Sequence, residues 1–156
     1  MKSGWQALAV AALVCLGAPH AGAATCAVSA VSLAFGSYNP FQIGPTDTTG
    51  NIAILCSGTP GEVVAYTIGL NSGHGTFSQR RMRSANGFWL NYNIYTSVAR
   101  TIVWGDGSGG TLMVSDGYTL GAPSVTRNYP VYGRTPAIQK TPVALYSDSI
   151  VVTLNF

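Results

Sequence analysis

The chain has 156 residues, of which only 8% are charged, against roughly 25% in an average soluble domain. Its formal net charge is +3. That balance is too small to argue for nucleic acid or an anionic membrane as partner, and the polar surface must come largely from uncharged side chains.

The first segment reads as an export signal. Lys2 is its only charge, an apolar run extends from Ala7 to Ala18, Pro19 follows, and Ala21-Gly22-Ala23 has the small-residue pattern of a cleavage site. Cleavage is expected between Ala23 and Ala24, dividing the chain into a signal peptide (1–23) and one mature domain (24–156). The apolar run is too short for a membrane span, which needs roughly 20 residues. No later stretch is long and apolar enough for a stable one. Cys15 follows Val14, which is too bulky for a lipoprotein cleavage site.

The mature chain alternates with period 2 and is broken by Gly, Pro, Asn and Ser clusters, the pattern of many short strands in a sandwich or small barrel. Cys26 opens a first strand, and Val31, Leu33 and Phe35 alternate before Gly36. A second strand carries Ile52, Ile54 and Cys56 on one face. Cys26 and Cys56 are the only mature cysteines, and an exported chain enters an oxidising compartment, so a disulfide between the first two strands is expected. A third strand presents Val64, Tyr66, Ile68 and Leu70, and a fourth presents Phe88, Leu90, Tyr92 and Ile94. Ile102 to Trp104 stop at a glycine-rich run. Short strands are expected over Leu112 to Val114 and over Tyr129 to Tyr132, where Pro130 weakens the ladder. The last strand alternates Ile150, Val152, Leu154 and Phe156 up to the final residue. An apolar face carried to a chain end, where frayed polar residues are usual, suggests docking against another chain.

Residues for catalysis are sparse. The mature acids are Asp47, Glu62, Asp106, Asp116 and Asp148, and His74 is the sole mature histidine, in a Gly-flanked loop that looks mobile. No nucleophile elbow occurs. The chain is therefore expected not to be an enzyme and to need no cofactor or metal. Gly105-Asp106-Gly107-Ser108-Gly109-Gly110 offers one carboxylate, too few for calcium, and reads as a tight hairpin connection. Arg80, Arg81 and Arg83 read as a solvated strand edge protected by charge. Phe88, Trp89, Tyr92, Tyr95 and Trp104 read as core and cross-strand packing rather than a sugar platform, since Trp89 points away from Phe88 and Leu90.

An ordered set of segments carries a family resemblance. Cys26-Ala27-Val28-Ser29, Phe35-Gly36-Ser37-Tyr38-Asn39-Pro40 and Gly50-Asn51-Ile52 leading to Cys56 resemble the start of the spore coat protein U-like domain. Tyr66-Thr67-Ile68-Gly69-Leu70, Arg81-Met82 and Leu90-Asn91-Tyr92-Asn93-Ile94-Tyr95-Thr96 resemble its middle. Gly105-Asp106-Gly107, Val131-Tyr132-Gly133-Arg134 and Tyr146-Ser147-Asp148-Ser149-Ile150-Val151-Val152-Thr153 resemble its second half; Ala144 stands where the family usually has Gly. The family is similar to pilins of archaic chaperone–usher pathways. The resemblance implies an all-β, incomplete immunoglobulin-like sandwich of six to seven strands, whose last strand comes from a partner. It implies a periplasmic chaperone, an outer-membrane usher and neighbouring fibre subunits as partners, and delivery to the cell surface for attachment or biofilm. Ile150, Val152, Leu154 and Phe156 would line the groove for the partner strand. The alternatives are a spore or cell-coat structural protein that assembles without an usher, and a carbohydrate-binding adhesin domain.

Overall fold

A computed structural model describes residues 23–156. The expected signal segment lies outside the described residues apart from Ala23. Alternating apolar positions must bury one face of each strand, and two sheets do so against each other. The larger sheet has the order β1 (Thr25–Val31), β2 (Thr46–Ser57), β7 (Ser124–Thr135), β5 (Trp89–Tyr95), β4 (Arg80–Ser84) and β8 (Tyr146–Ser147). The smaller has the order β6 (Val114–Thr119), β3 (Val63–Leu70) and β9 (Val152–Asn155). Every strand pairing is antiparallel.

The core forms where the inward series of the two sheets meet. Ile52, Ile54 and Cys56 from β2 and Leu90, Tyr92 and Ile94 from β5 face Val64, Tyr66, Ile68 and Leu70 from β3, all buried. Trp104, in the connection between β5 and β6, closes the core and donates its indole N–H to the Ile68 carbonyl at 2.9 Å. Cys26 and Cys56 are register partners across β1 and β2 and are joined by a disulfide.

The structure departs from the sequence expectation in five respects. There are nine among the described residues, not six or seven, two of them with four residues or fewer. β6 starts at Val114, where a strand had been expected to end, because its inward series includes a carboxylate: Asp116 faces in and is held by Tyr129 and Arg127. β7 is twelve residues long and central. It tolerates Pro130 because β5 pairs only with Tyr132, Gly133 and Arg134, so that edge carries no ladder at Pro130. Phe88 lies in the turn before β5 and is exposed rather than part of the inward series. The Gly105 to Gly110 run is a loop rather than a tight hairpin: Trp104 and Leu112 on either side of it form a parallel bridge, and Asp106 accepts from the Ser108 amide and hydroxyl.

Candidate strand-accepting groove

The groove begins where β1 ends. Val28 and Ala30 pair with the inward residues Ile54 and Ile52, so even positions of β1 turn to the inner side of the sheet, although Val28 and Ala30 themselves are exposed. After Val31 the chain leaves the ladder, and the half-buried residues become Leu33 and Phe35, at odd positions. That half-period shift lifts residues 32–35 across the face of β2 and β7. Two glycines permit the approach: a Cβ at Gly50 would lie 2.6 Å from the Val31 carbonyl oxygen, and one at Gly133 would lie 2.8 Å from the Phe35 ring.

The opposite wall is the last part of the chain. β8 pairs with Arg83 and Ser84 of β4, residues 148–151 cross to the other sheet, and β9 pairs with β3 along one edge. β9 has no partner on its other edge among the described residues. Between that edge and residues 30–35 lies an apolar cavity of about 380 Å³, lined by Leu33, Phe35, Ile52, Ile94, Ile150 and Val152 among others. A second cavity of about 370 Å³ shares Leu33, Phe35, Met82 and Tyr146 with it, so the two adjoin. Phe41, Ile43, Val143 and Leu145, in the two loops beside it, are almost fully exposed.

Polar contacts fix the later wall. Asp148, whose side chain is almost fully buried, accepts from the His74 ring at 2.7 Å, the His74 amide at 3.1 Å and the Tyr92 hydroxyl at 2.7 Å. Burial, reinforced by the bond to Asp148, raises the Tyr92 pKa far above the ordinary tyrosine value. Asn71 accepts from the Val151 amide through its side chain and donates its own amide to the Val151 carbonyl. Arg80 holds Asn71 in turn, placing Nε and Nη2 on the Asn71 carbonyl at 3.2 and 2.7 Å, with further bonds to the Trp104 carbonyl and Asn93 Oδ1. Burial lowers the pKa of Arg80 from its ordinary value.

These contacts correct two expectations. Arg80 is wholly buried and is not part of a solvated edge, since β4 lies between β5 and β8; only Arg81 and Arg83 face outward. The His74 loop is anchored to Asp148 through two nitrogen atoms rather than left loose.

The expected groove residues separate along the strand. Ile150 and Val152 line the cavity. Leu154 faces the same way and is half-buried against the core, but lies beyond the cavity lining, opposite Ile68 in register. Phe156 follows β9 and is 67% exposed. The disulfide of Cys26 and Cys56 is away from the groove, at the other end of β1. Near it the Ala24 amide donates to Glu62 Oε1 at 2.6 Å. Sequence reasoning missed Leu33, Phe35, Tyr146 and Asp148 as groove residues. The parity change after Ala30 was the available signal for the first two.

The model of the Spore Coat Protein U domain matches residues 12–153. The chain belongs to that family. Among curated proteins it is similar to Protein U of Myxococcus xanthus, at 31% identity over 134 residues, covering 80% of this chain and 72% of the relative. Among solved structures it is similar to a chain in the crystal structure of the CsuC–CsuE chaperone–tip adhesion subunit pre-assembly complex, from archaic chaperone–usher Csu pili of Acinetobacter baumannii. That likeness has a TM-score of 0.54 at 20% identity and covers 85% of this chain. The chain spans only 40% of the length of that structure's chain. The shared architecture is an immunoglobulin-like sandwich, and the described residues of this family member carry nine strands in it.

Proposed function

We propose that the chain is an exported structural subunit of a chaperone–usher surface fibre that accepts a β-strand from a partner, and that it is not an enzyme. The observation that carries this reading is the unpaired edge of β9 beside an apolar depression lined by Ile150 and Val152. An extended segment laid there would gain main-chain bonds from β9 and alternate side-chain pockets from the cavity, the two elements of β-strand addition. A periplasmic chaperone fills the groove before assembly at an outer-membrane usher, and a neighbouring subunit fills it afterwards. Phe156 and Leu154 then extend the accepting face beyond the cavity.

Export and position in the fibre belong to the same proposal. Cleavage after Ala23 would convert the Ala24 amide into an ammonium 2.6 Å from Glu62 Oε1, which strengthens an existing bond. It leaves Ala24 and Thr25 before Cys26, and Thr25 is already paired with Ser57 in β1. A donated strand filling several alternate pockets needs roughly 10 residues. Such a mature chain accepts a strand and gives none, which places it at a fibre end, as a tip or terminal subunit. A coat protein assembling without an usher is the second reading, favoured by the Spore Coat Protein U domain match.

Co-expression with a periplasmic chaperone tests the groove. The wild-type chain should co-purify with it, and Val152→Asp should abolish recovery of the complex. A stable, soluble monomer with no partner and no added strand would sink the proposal, as would unchanged chaperone binding by Val152→Asp. Gold labelling should mark fibre ends, and label along the shaft would rule out the terminal position.

A further inference from the structure

The seven basic side chains among the described residues divide into two groups. Arg100 and Arg134 share Asp47 at 3.2 and 2.7 Å, Arg127 meets Asp116 at 3.2 Å, and Arg80 is buried on carbonyl oxygens. Arg81, Arg83 and Lys140 have no carboxylate partner among the described residues. Arg81 and Arg83 meet over Trp89 at one corner of the larger sheet. Arg81 and Arg83 face outward from β4, and Arg83 is opposite Trp89 in register. Their guanidinium carbons lie 5.1 and 5.4 Å from the centroid of the Trp89 ring. Lys140 lies in the segment that runs along β5: the Gln139 side chain bonds both the amide and the carbonyl of Asn91, and the Thr141 hydroxyl donates to the Trp89 carbonyl. Ile138, just before, has a φ of 53°, a conformation a β-branched residue keeps only when its surroundings enforce it.

No free carboxylate opposes this corner. Asp148 approaches it through His74, whose ring is 5.7 Å from Trp89, but that carboxylate is committed to His74 and Tyr92. Arg81 Nε is buried with no hydrogen-bond partner. The domain's low charge density makes this concentration of unpaired cations conspicuous, since its other surface arginines are neutralised in place.

We infer that this corner binds an acidic polysaccharide, one whose repeat carries carboxylate or sulfate groups. The forks of Arg81 and Arg83 suit planar or trigonal oxyanions. Trp89 holds the two guanidinium planes by cation–π contact, so less side-chain freedom is lost on binding. The exposed edge of Trp89, 40% accessible, gives an apolar surface for sugar C–H groups. A single-stranded nucleic acid fits less well. It requires a longer basic track and free aromatic faces for stacking, and the Trp89 ring is attended by two guanidinium groups. An added peptide strand has no place here, because β4 is paired on both edges. The site is on the outer face of its sheet and stands independently of strand acceptance at the groove.

The test uses the exported full-length product and immobilised alginate, a polyuronate, with dextran as neutral control and an oligothymidylate of matched charge. Alginate should retain the protein at low salt, dextran should not, and the oligothymidylate should bind at least severalfold more weakly. Arg81→Gln with Arg83→Gln should weaken alginate binding roughly tenfold or more, as expected for losing charge-assisted hydrogen bonds. Trp89→Leu should weaken it severalfold at unchanged net charge, and Arg127→Gln should leave it intact. Matched thermal melting of the variants confirms that folding is retained. Absence of alginate binding, equal binding to dextran, or equal effects of Arg127→Gln and the double variant would each overturn the assignment. Oligothymidylate binding as tight as alginate binding would also overturn it, in favour of a nucleic-acid site.

Discussion

Cys26 and Leu33 lie seven residues apart in the first segment of the mature chain, and both are half-buried against the core, yet their surroundings are opposite. Cys26 has a register partner and a covalent bond to it, and the sandwich around it is filled by Cys56, Val125 and Leu120. Leu33 has no ladder partner and stands over a cavity. The difference shows that alternation decides which side chains face inward but not whether the backbone beside them is paired. One end of the sandwich is a finished core. The other has the side chains of a core beside an unpaired strand edge and an open cavity.

Breaking the closed end should have the largest effect. Cys26→Ser or Cys56→Ser removes a cross-link between residues 30 apart, worth about 3–4 kcal/mol in the chain-entropy model. Urea denaturation of the purified exported variant should show that loss, together with lower yield through proteolysis. A midpoint within error of wild type would mean that the β1–β2 ladder alone seals this end.

Gly133→Ala should fall next. The added Cβ would lie 2.8 Å from the Phe35 ring and 3.1 Å from Leu33, and overpacking of that kind costs about 1–3 kcal/mol. Because Leu33 and Phe35 form one wall of the groove, the variant should lose partner binding out of proportion to its loss of stability. Equal fractional losses in a chaperone pull-down and a melting curve would show that this wall does not contribute to acceptance.

Several features of this comparison were readable in the residues and several were not. The inward series of β2, β3 and β5, the disulfide and the apolar last strand follow from period-2 spacing and compartment chemistry, which are local properties. Arg80 was misread because local sequence shows three similar arginines. Only the fold reveals that one of them points between the sheets to satisfy the Asn71 and Trp104 carbonyls. Asp148 was likewise invisible as an anchor, since its partners Tyr92 and His74 are 56 and 74 residues distant. β6 and β7 were misjudged where Asp116, a carboxylate, and Pro130, which has no backbone N–H, interrupt the strand pattern and are accommodated by the surrounding fold.

The smallest effect expected is a pH dependence that distinguishes the two ends. Burial raises the pKa of Tyr66 and Tyr129, which share a 2.6 Å hydroxyl contact in the closed part, and of Tyr92 at the groove. Each raised value means that the folded chain retains a proton which the unfolded chain releases. The stability these groups contribute is therefore complete below the unfolded tyrosine pKa, about 10, and falls as pH rises above it. Urea midpoints measured upward from neutral pH should be insensitive to these groups until about pH 10 and then decline. Tyr92→Phe removes one retained proton and the bond to Asp148, so it should lower stability at neutral pH by about 1–2 kcal/mol and flatten the alkaline decline. It should also loosen the segment from Asp148 to Val152, speeding amide exchange at Ile150 and Val151 while leaving Ile54 unchanged. Tyr129→Phe should flatten the same decline and leave exchange at the groove untouched. Equal exchange effects from the two variants would mean that the closed end and the open groove form one cooperative unit and respond together.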